Sequence, residues 1–376
     1  MENREEQRRI VVAANSAWNL VHFRAGLIRA LTNEGFEVIA AAPADRAVDS
    51  AIARLVSRWI RIPMDRSGLN PLTDLGLLGS FVGLLRRERA AAFLGFTVKP
   101  NIYGCLAARL AGVPAIANVS GLGTAFLSRP MLRRLVERLY RLAFARAAVV
   151  FFQNSDDLDL FVARKLVRSS QARLLPGSGI DISRYAVAPL PDGTITFLLI
   201  GRLIGDKGVR EFVEAARKVC SAHPEVRFQL LGPIDEGNRT AISKREVDAW
   251  IDEGIVEYLG QTQDVRPFIE RATVIVLPSY REGLPRTLLE GAAMGRPLLA
   301  TDVPGCRQIV RNEVNGLLCQ VRDSDSLASA MHAMIAMPRS ALEEMGRAGR
   351  ALIETSFAES EVIRRYLDAI EEFVRT

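Results

Sequence analysis

Histidine is scarce in this 376-residue chain, which has three, and its four cysteines, Cys105, Cys220, Cys306 and Cys319, are scattered without any C-x-x-C spacing. A zinc site or a disulfide framework needs such spacings, so the thiols read as buried and reduced. Aromatic residues make up only 7%, and they are not interleaved with basic residues as a nucleic-acid-binding surface requires. The longest apolar stretch, LGLLGSFVGLL at residues 75–85, falls below the roughly 20 residues that a membrane-spanning helix needs. The start, MENREEQRRIVVAAN, holds too short an apolar run for a secretory leader. No G-x-G-x-x-G follows the first strand, which excludes the usual dehydrogenase fingerprint, and GRLIGDKG lacks the G-K-[ST] ending of a P-loop.

What is present points to a soluble globular protein. Hydrophobic residues account for 49% and charged residues for 24%, an ordinary balance for that class. The length exceeds that of a single core, so two domains are expected. The net charge of +6 hides an asymmetry: through Tyr185 the chain has 26 Lys and Arg against 15 Asp and Glu, and beyond it 23 against 28. A strongly basic first half implies an anionic partner: nucleic acid, acidic lipid or a phosphorylated substrate.

Apolar runs alternate with helical segments along the chain. RRIVVAAN reads as a strand, followed by a helix at residues 23–33, a Gly35 stop and the strand FEVIAAAP. Helices at 47–58, 74–87 and after Pro100 lead to the strands IRIP, AAAFLGFT and PAIANVSG. After a linker-like AVAPLPDGT at residues 186–194, a second series runs through ITFLLIGRL, VRFQLLGP, IVEYLGQ, ATVIVLPS and RPLLATDV. Such alternation predicts parallel strands covered on both faces. The expected architecture is two doubly wound, Rossmann-like α/β domains facing a central cleft, residues 1–187 and 188–357. A last helix, within 358–376, could pack back on the first domain.

The segment YREGLPRTLLEGAAMGRP, residues 280–297, follows the strand TVIVLPS. Glu282 therefore lies in a loop at a strand's carboxyl end, where open α/β sheets bind ligands. Pro285 suits a first helical turn and Gly295 with Pro297 marks a stop. Glu290 falls about five residues into that helix, ~7 Å along its axis. Two carboxylates, with helix N-terminal amides between them, match a phosphate flanked by hydroxyl-bearing rings: the outline of a nucleotide sugar. The plain alternative is a solvated loop acid and a surface helix acid. Arg202 and Lys207, in LLIGRLIGDKG, can clamp a diphosphate, the arginine as a fork and the lysine as a point charge; an ordinary charged loop is the alternative.

With GRL…DKG at residues 201–208 and PSYREGLPRTLLEGAAMGRPLLATDVPG at 278–305, the chain resembles retaining glycosyltransferases of family 4, which have the GT-B fold. The resemblance implies that Arg202 and Lys207 hold the donor diphosphate, that Glu282 contacts the transferred sugar, and that Glu290 contacts the ribose. It makes Arg202, Lys207 and Glu282 the catalytic residues. Gly201, Gly283, Leu284, Pro285, Arg286 and Thr287 would also line the donor site, with Gly260 and Gln261 beside the base. The first domain departs from the family pattern. Its first loop, ANSAWNLVHFRAG, has no glycine until Gly26, and Ser120 in ANVSGLGTAF stands where many members carry a histidine. The SGLG version is similar to members that extend undecaprenyl-diphosphate-linked sugars. Asn15, His22, Ser120 and Gly121 are the acceptor-side candidates, although a structural role for His22 is the plainer one.

The reaction implied is displacement of a nucleoside diphosphate from an anomeric carbon by a hydroxyl, with retention, and with no metal or other cofactor. Asp157 and Asp159, in NSDDLDLF, form the acid-x-acid pattern of metal-dependent transferases, but capping by Asn154 or Ser155 explains an acidic first turn. In residues 129–146, Leu132, Leu135, Val136, Leu139 and Leu142 share one stripe and Arg134, Arg138 and Arg141 another. An interfacial helix on anionic lipid, or a core-packed helix with a solvated basic face, fits that pattern. The expected location is cytoplasmic, peripheral on the inner face of the membrane, with a lipid-linked saccharide as acceptor and no nucleic acid. A sugar-nucleotide 2-epimerase and a non-catalytic nucleotide- or nucleic-acid-binding protein are the alternatives.

Overall fold

The computed structural model describes residues 8–64, 70–122 and 130–374. The charged head (residues 1–7), the GTAF part of SGLGTAF and Arg129 lie outside the described residues. Two compact units are present: residues up to Ser178 together with those from Glu359 onward, and Gly179–Ala358.

The first unit is built on a seven-stranded sheet among the described residues. Its strands are β1 (Arg9–Ala13), β2 (Glu37–Ala42), β3 (Arg58–Arg61), β4 (Ala92–Phe96), β5 (Ala115–Val119), β6 (Val149–Phe152) and β7 (Ala172–Leu174), in the order β3-β2-β1-β4-β5-β6-β7. Every described pairing is parallel. Alternate residues of β1 face opposite layers: Val11 and Ala13 pack with Phe81, Phe93 and Phe144, while Ile10 and Val12 pack with Leu94, Phe96 and Phe151. Both faces are buried, which is why these strands read as continuous apolar runs. Each large apolar side chain buried there contributes ~1.5–3 kcal/mol.

The final helix, Glu359–Val374, belongs to this first unit. Its Tyr366 is fully buried against Phe96 and Phe151, with ring centroids 5.9 and 4.9 Å away. Asn118 Nδ2 donates to the Tyr366 hydroxyl at 2.6 Å, Gln153 Nε2 donates to Asn118 Oδ1 at 3.2 Å, and Arg365 bonds the Leu174 carbonyl at 2.8 Å. A buried polar chain of this kind fixes one seating of the helix, because sliding it would strand unpaired amides.

The second unit holds a six-stranded sheet among the described residues: β8 (Thr196–Ile200), β9 (Arg227–Leu231), β10 (Glu257–Tyr258), β11 (Val274–Leu277), β12 (Leu298–Thr301) and β13 (Gly316–Cys319), in the order β10-β9-β8-β11-β12-β13. These pairings are parallel too. The linker-like residues 186–194 belong wholly to this unit: Ala188 N–H bonds the Met294 carbonyl at 3.3 Å, and Arg339 bonds the carbonyls of Leu190 and Pro191 at 2.5 and 2.9 Å.

Two local expectations are corrected. The helix expected at residues 23–33 begins at Ala25 and runs to Asn33, and a separate helix not read from the sequence, Ala17–Phe23, precedes it. Between them stands Arg24, whose φ is −127° and whose guanidinium lies over the Phe96 ring at 4.3 Å. The helix expected to reach Arg58 ends at Leu55, because Arg58 pairs with Ile39 to begin β3.

Candidate active site

In the second sheet the strand order reverses direction between β8 and β11. At such a switch point the loops leaving the two strands diverge and open a crevice. The loop after β8 carries Arg202 and Lys207; the loop after β11 carries Glu282. Close backbone contact holds the two loops together. Tyr280 N–H donates to the Asp206 carbonyl at 2.9 Å. Gly208, at φ +72°, leaves no room for a side chain, since a Cβ there would lie 2.0 Å from the Pro278 oxygen. Gly305, at φ +84°, likewise lets the loop after β12 lie against Gly283, with its missing Cβ 2.4 Å from that carbonyl oxygen.

This arrangement joins Lys207 and Glu282 in a direct, half-buried ion pair. Cys306 lies close by, and its thiol is pushed well up by burial and then by the Glu282 charge, so it remains a neutral thiol. Arg202 is more exposed and bonds Asp235 Oδ2 at 2.9 Å. Asp235 has no counterpart in the sequence reading; it lies in the loop following β9, where no motif singles it out.

The helix after β11 spans Arg286–Ala293, with Pro285 at the cap and no side-chain capping bond. Pro285 has no side-chain acceptor to offer that first turn, an arrangement that suits an anion. Thr287 Oγ1 bonds the Ile200 carbonyl at 3.2 Å, tying this helix start to the end of β8. Glu290 is buried rather than a surface residue. Its Oε1 accepts from Arg286 Nε at 2.9 Å and from the Tyr185 hydroxyl at 2.8 Å. Burial works against the Arg286 charge, but Glu290 and Tyr185 hold its pKa above the ordinary value. Burial and then the Glu290 charge push the Tyr185 hydroxyl up to about 12.

Gly201 continues β8, its N–H on the Leu231 carbonyl at 2.9 Å. Leu284 is buried in the core beneath the loop. Gly260, at φ +74°, accepts from Gly232 N–H at 2.7 Å, and Gln261 beside it is exposed, both just beyond edge strand β10.

The acceptor-side residues lie in the first unit. Asn15 follows β1 and its N–H donates to Thr97 Oγ1 at 3.1 Å, beyond the end of β4; Ser120 and Gly121 follow β5. Because β4 lies between β1 and β5, these three loops share one end of the sheet. His22 stacks on Trp18 with ring centroids 4.3 Å apart, and its Nδ1 is 3.0 Å from the Trp18 carbonyl oxygen, a structural setting. A buried cluster missed in the sequence stands at the same sheet end. Asp74 takes Lys99 Nζ and the Tyr103 hydroxyl, each at 2.8 Å, across a turn that begins at Pro100.

Asp157 and Asp159 do not form a shared site. Asp157 is fully buried and takes Asn154 Nδ2 at 3.1 Å, while Asn154 Oδ1 caps the helix through Asp157 N–H at 2.8 Å; Asp159 is exposed. Among the described residues no cluster of three or more potential metal-ligating groups occurs.

Two doubly wound parallel-sheet units, with cationic loops and an uncapped helix start at a switch point, define the GT-B class of glycosyltransferases. Structural neighbours agree on the fold. Anabaena HepE, solved with UDP-glucose, superposes with a TM-score of 0.80 at 17% identity over 97% of this chain and 99% of that one. A glycosyltransferase from Rickettsia africae gives 0.78 at 14% identity over 98% and 99%. Residues 194–337 match the family model "Glycosyl transferases group 1" and residues 22–177 match "Glycosyl transferase 4-like domain". The chain belongs to this glycosyltransferase family and is a glycosyltransferase. It is 24% identical, over 98% of its length and 99% of the relative's, to the N,N'-diacetylbacillosaminyl-diphospho-undecaprenol alpha-1,3-N-acetylgalactosaminyltransferase of Campylobacter jejuni. It is also 25% identical, over 72% and 73%, to the UDP-Gal:alpha-D-GlcNAc-diphosphoundecaprenol alpha-1,3-galactosyltransferase of Escherichia coli.

Proposed function

We propose that the enzyme transfers a hexose or N-acetylhexosamine from its UDP-sugar to a hydroxyl of an undecaprenyl-diphosphate-linked saccharide, with retention at the anomeric carbon and without a metal ion. The observation that carries this reading is the meeting of Lys207 and Glu282 beside the uncapped Arg286–Ala293 helix. The names of the two undecaprenol-linked relatives support the acceptor class.

In this mechanism the diphosphate lies against the helix N-terminus. Lys207 and Arg202 meet the charge that develops on the leaving group, a term that acts only as the glycosidic bond breaks. Glu282 restrains Lys207 and accepts hydrogen bonds from hydroxyls of the transferred sugar. The acceptor oxygen forms the new bond on the face the diphosphate leaves, and its proton passes to the departing β-phosphate. No protein base is required, so Ser120 in place of a histidine does not block the step. Asn15, Ser120 and Gly121 are assigned to acceptor recognition, and Gly260 and Gln261 to the base.

Lipid-linked acceptors call for a protein that works at the membrane surface. Among the described residues no helix is long and apolar enough to cross a bilayer. The Pro130–Phe144 helix turns Val136, Tyr140, Ala143 and Phe144 into the core, and its outer face mixes Met131, Leu135 and Leu142 with Arg134, Arg138 and Arg141. The stripe read from the sequence is thus divided between core and surface. An exposed face of mixed leucine and arginine suits the headgroup region of anionic lipid.

The direct test is turnover. Purified enzyme with a UDP-sugar should release UDP only when a polyprenyl-diphosphate saccharide is supplied, and should do so in the presence of a chelator. Release without acceptor, or conversion of the donor to an epimer, would reject transfer to that acceptor.

A further inference from the structure

Glu290 is held from two directions, and both bonds land on the same oxygen. Arg286 lies one turn back on the same helix and pulls along its axis; Tyr185 approaches from outside the helix. Oε2 takes part in neither bond.

Tyr185 is itself firmly seated. It follows a single turn, Ile182–Arg184, capped by Asp181, whose Oδ1 accepts from Ser183 N–H at 3.1 Å and Ser183 Oγ at 2.6 Å. Tyr185 N–H bonds the Ile182 carbonyl at 3.0 Å. Its own carbonyl accepts from Arg350 Nη1 at 2.6 Å, and the same Nη1 donates to the Ala293 carbonyl at 2.7 Å. Ala293 is the last residue of the helix that carries Glu290. One guanidinium therefore ties the tyrosine backbone to that helix, and the phenol ring, buried in the same core cluster as Leu288 and Leu289, completes the link.

We infer that Tyr185 is a positioning residue for the nucleotide: by holding Oε1 of Glu290 it aims Oε2 at the ribose hydroxyls and sets the preference for ribonucleotides over their deoxy analogues. This rests on the reading of the donor site given above. Burial and then the Glu290 charge raise the pKa of the hydroxyl to about 12, so it keeps its proton and donates throughout the working pH range. A carboxylate fixed before binding loses little freedom on meeting a ligand, and its hydrogen bond to a hydroxyl then counts in full.

The test is calorimetric titration of the full chain with UDP, 2′-deoxy-UDP and 3′-deoxy-UDP. Wild type should bind UDP about tenfold more tightly than at least one deoxy analogue, as expected for a hydrogen bond to a charged group. Tyr185→Phe keeps the ring and should weaken UDP about fivefold or more while leaving that analogue within about twofold. Glu290→Gln, which leaves Tyr185 in place, should remove the same discrimination, and the double variant should be no worse than Glu290→Gln alone. A merely structural role would weaken all three nucleotides alike, and that result, or additive losses in the double variant, overturns the inference. Unaltered discrimination in Tyr185→Phe overturns it while leaving the donor site standing. Absence of UDP binding in wild type removes the donor-site reading and this inference together.

Discussion

Lys207 and Glu282, 75 residues apart in the chain, form one ion pair at the point where the second sheet reverses its strand order. A lysine held by a carboxylate is fixed in place before any phosphate arrives, and it keeps further N–H donors for one. In the proposed mechanism the same contact sets the balance the donor must shift, because an arriving diphosphate would compete with Glu282 for the ammonium.

Lys207→Ala should lower kcat by ~100-fold or more, the scale of losing one pre-placed donor to a developing negative charge. Arg202→Ala should also lower kcat by orders of magnitude, even though Arg202 is exposed and paired with Asp235. Steady-state UDP release measures both. Near-normal turnover in both variants would contradict the assigned roles.

Gly208→Ala should separate the two site loops. Its φ of +72° disfavours a side chain by ~1–2 kcal/mol, and its Cβ would meet the Pro278 oxygen at 2.0 Å. A lower Tm together with loss of UDP binding is expected in thermal melts. A variant that melts like wild type and binds UDP normally would show that the close approach is dispensable.

Alkaline pH should loosen both units. Burial pushes Tyr366 to about 12 in the first unit, against an ordinary value of 10.0. In the second, burial and then Glu290 push Tyr185 to about 12. A phenol whose folded value is raised stabilises the fold fully below its unfolded value, and that stability is lost as pH climbs from about 10 through about 12. Denaturant midpoints should therefore fall between pH 10 and 12, and Tyr366→Phe should flatten part of that fall. An unchanged slope in the variant would remove Tyr366 as a contributor.

Much of the fold was legible because parallel strands buried on both faces leave uninterrupted apolar runs, as in Val274–Leu277. The ends of elements were less so. Arg24 separates two helices at a φ of −127°, and its guanidinium lies over Phe96, a partner distant in sequence. In the candidate site, Lys207, Glu282 and Glu290 stand out by position relative to strands and glycines, but their partners do not. Asp235 and Tyr185 sit in loops without periodicity, and only folding brings Tyr185 to Glu290, 105 residues away. Pairings of this kind depend on where the backbone returns, which local pattern does not encode.

Exposed Arg134 and Arg138 flank Leu135 on the outer face of the Pro130–Phe144 helix. Sedimentation with vesicles should show binding that favours anionic over neutral lipid. Replacing both arginines by alanine should weaken it ~30-fold, at ~1 kcal/mol per charge near the surface. Equal partition onto both vesicle types would defeat the electrostatic mode.

The central claim is tested most directly by a structure of the enzyme with UDP. The account predicts a β-phosphate oxygen within ~3 Å of Lys207 Nζ, the usual range for a charge-assisted bond, with the ribose on Glu290 and the phosphates at the start of the Arg286–Ala293 helix. UDP bound elsewhere, with Lys207 still held by Glu282 alone, would contradict it.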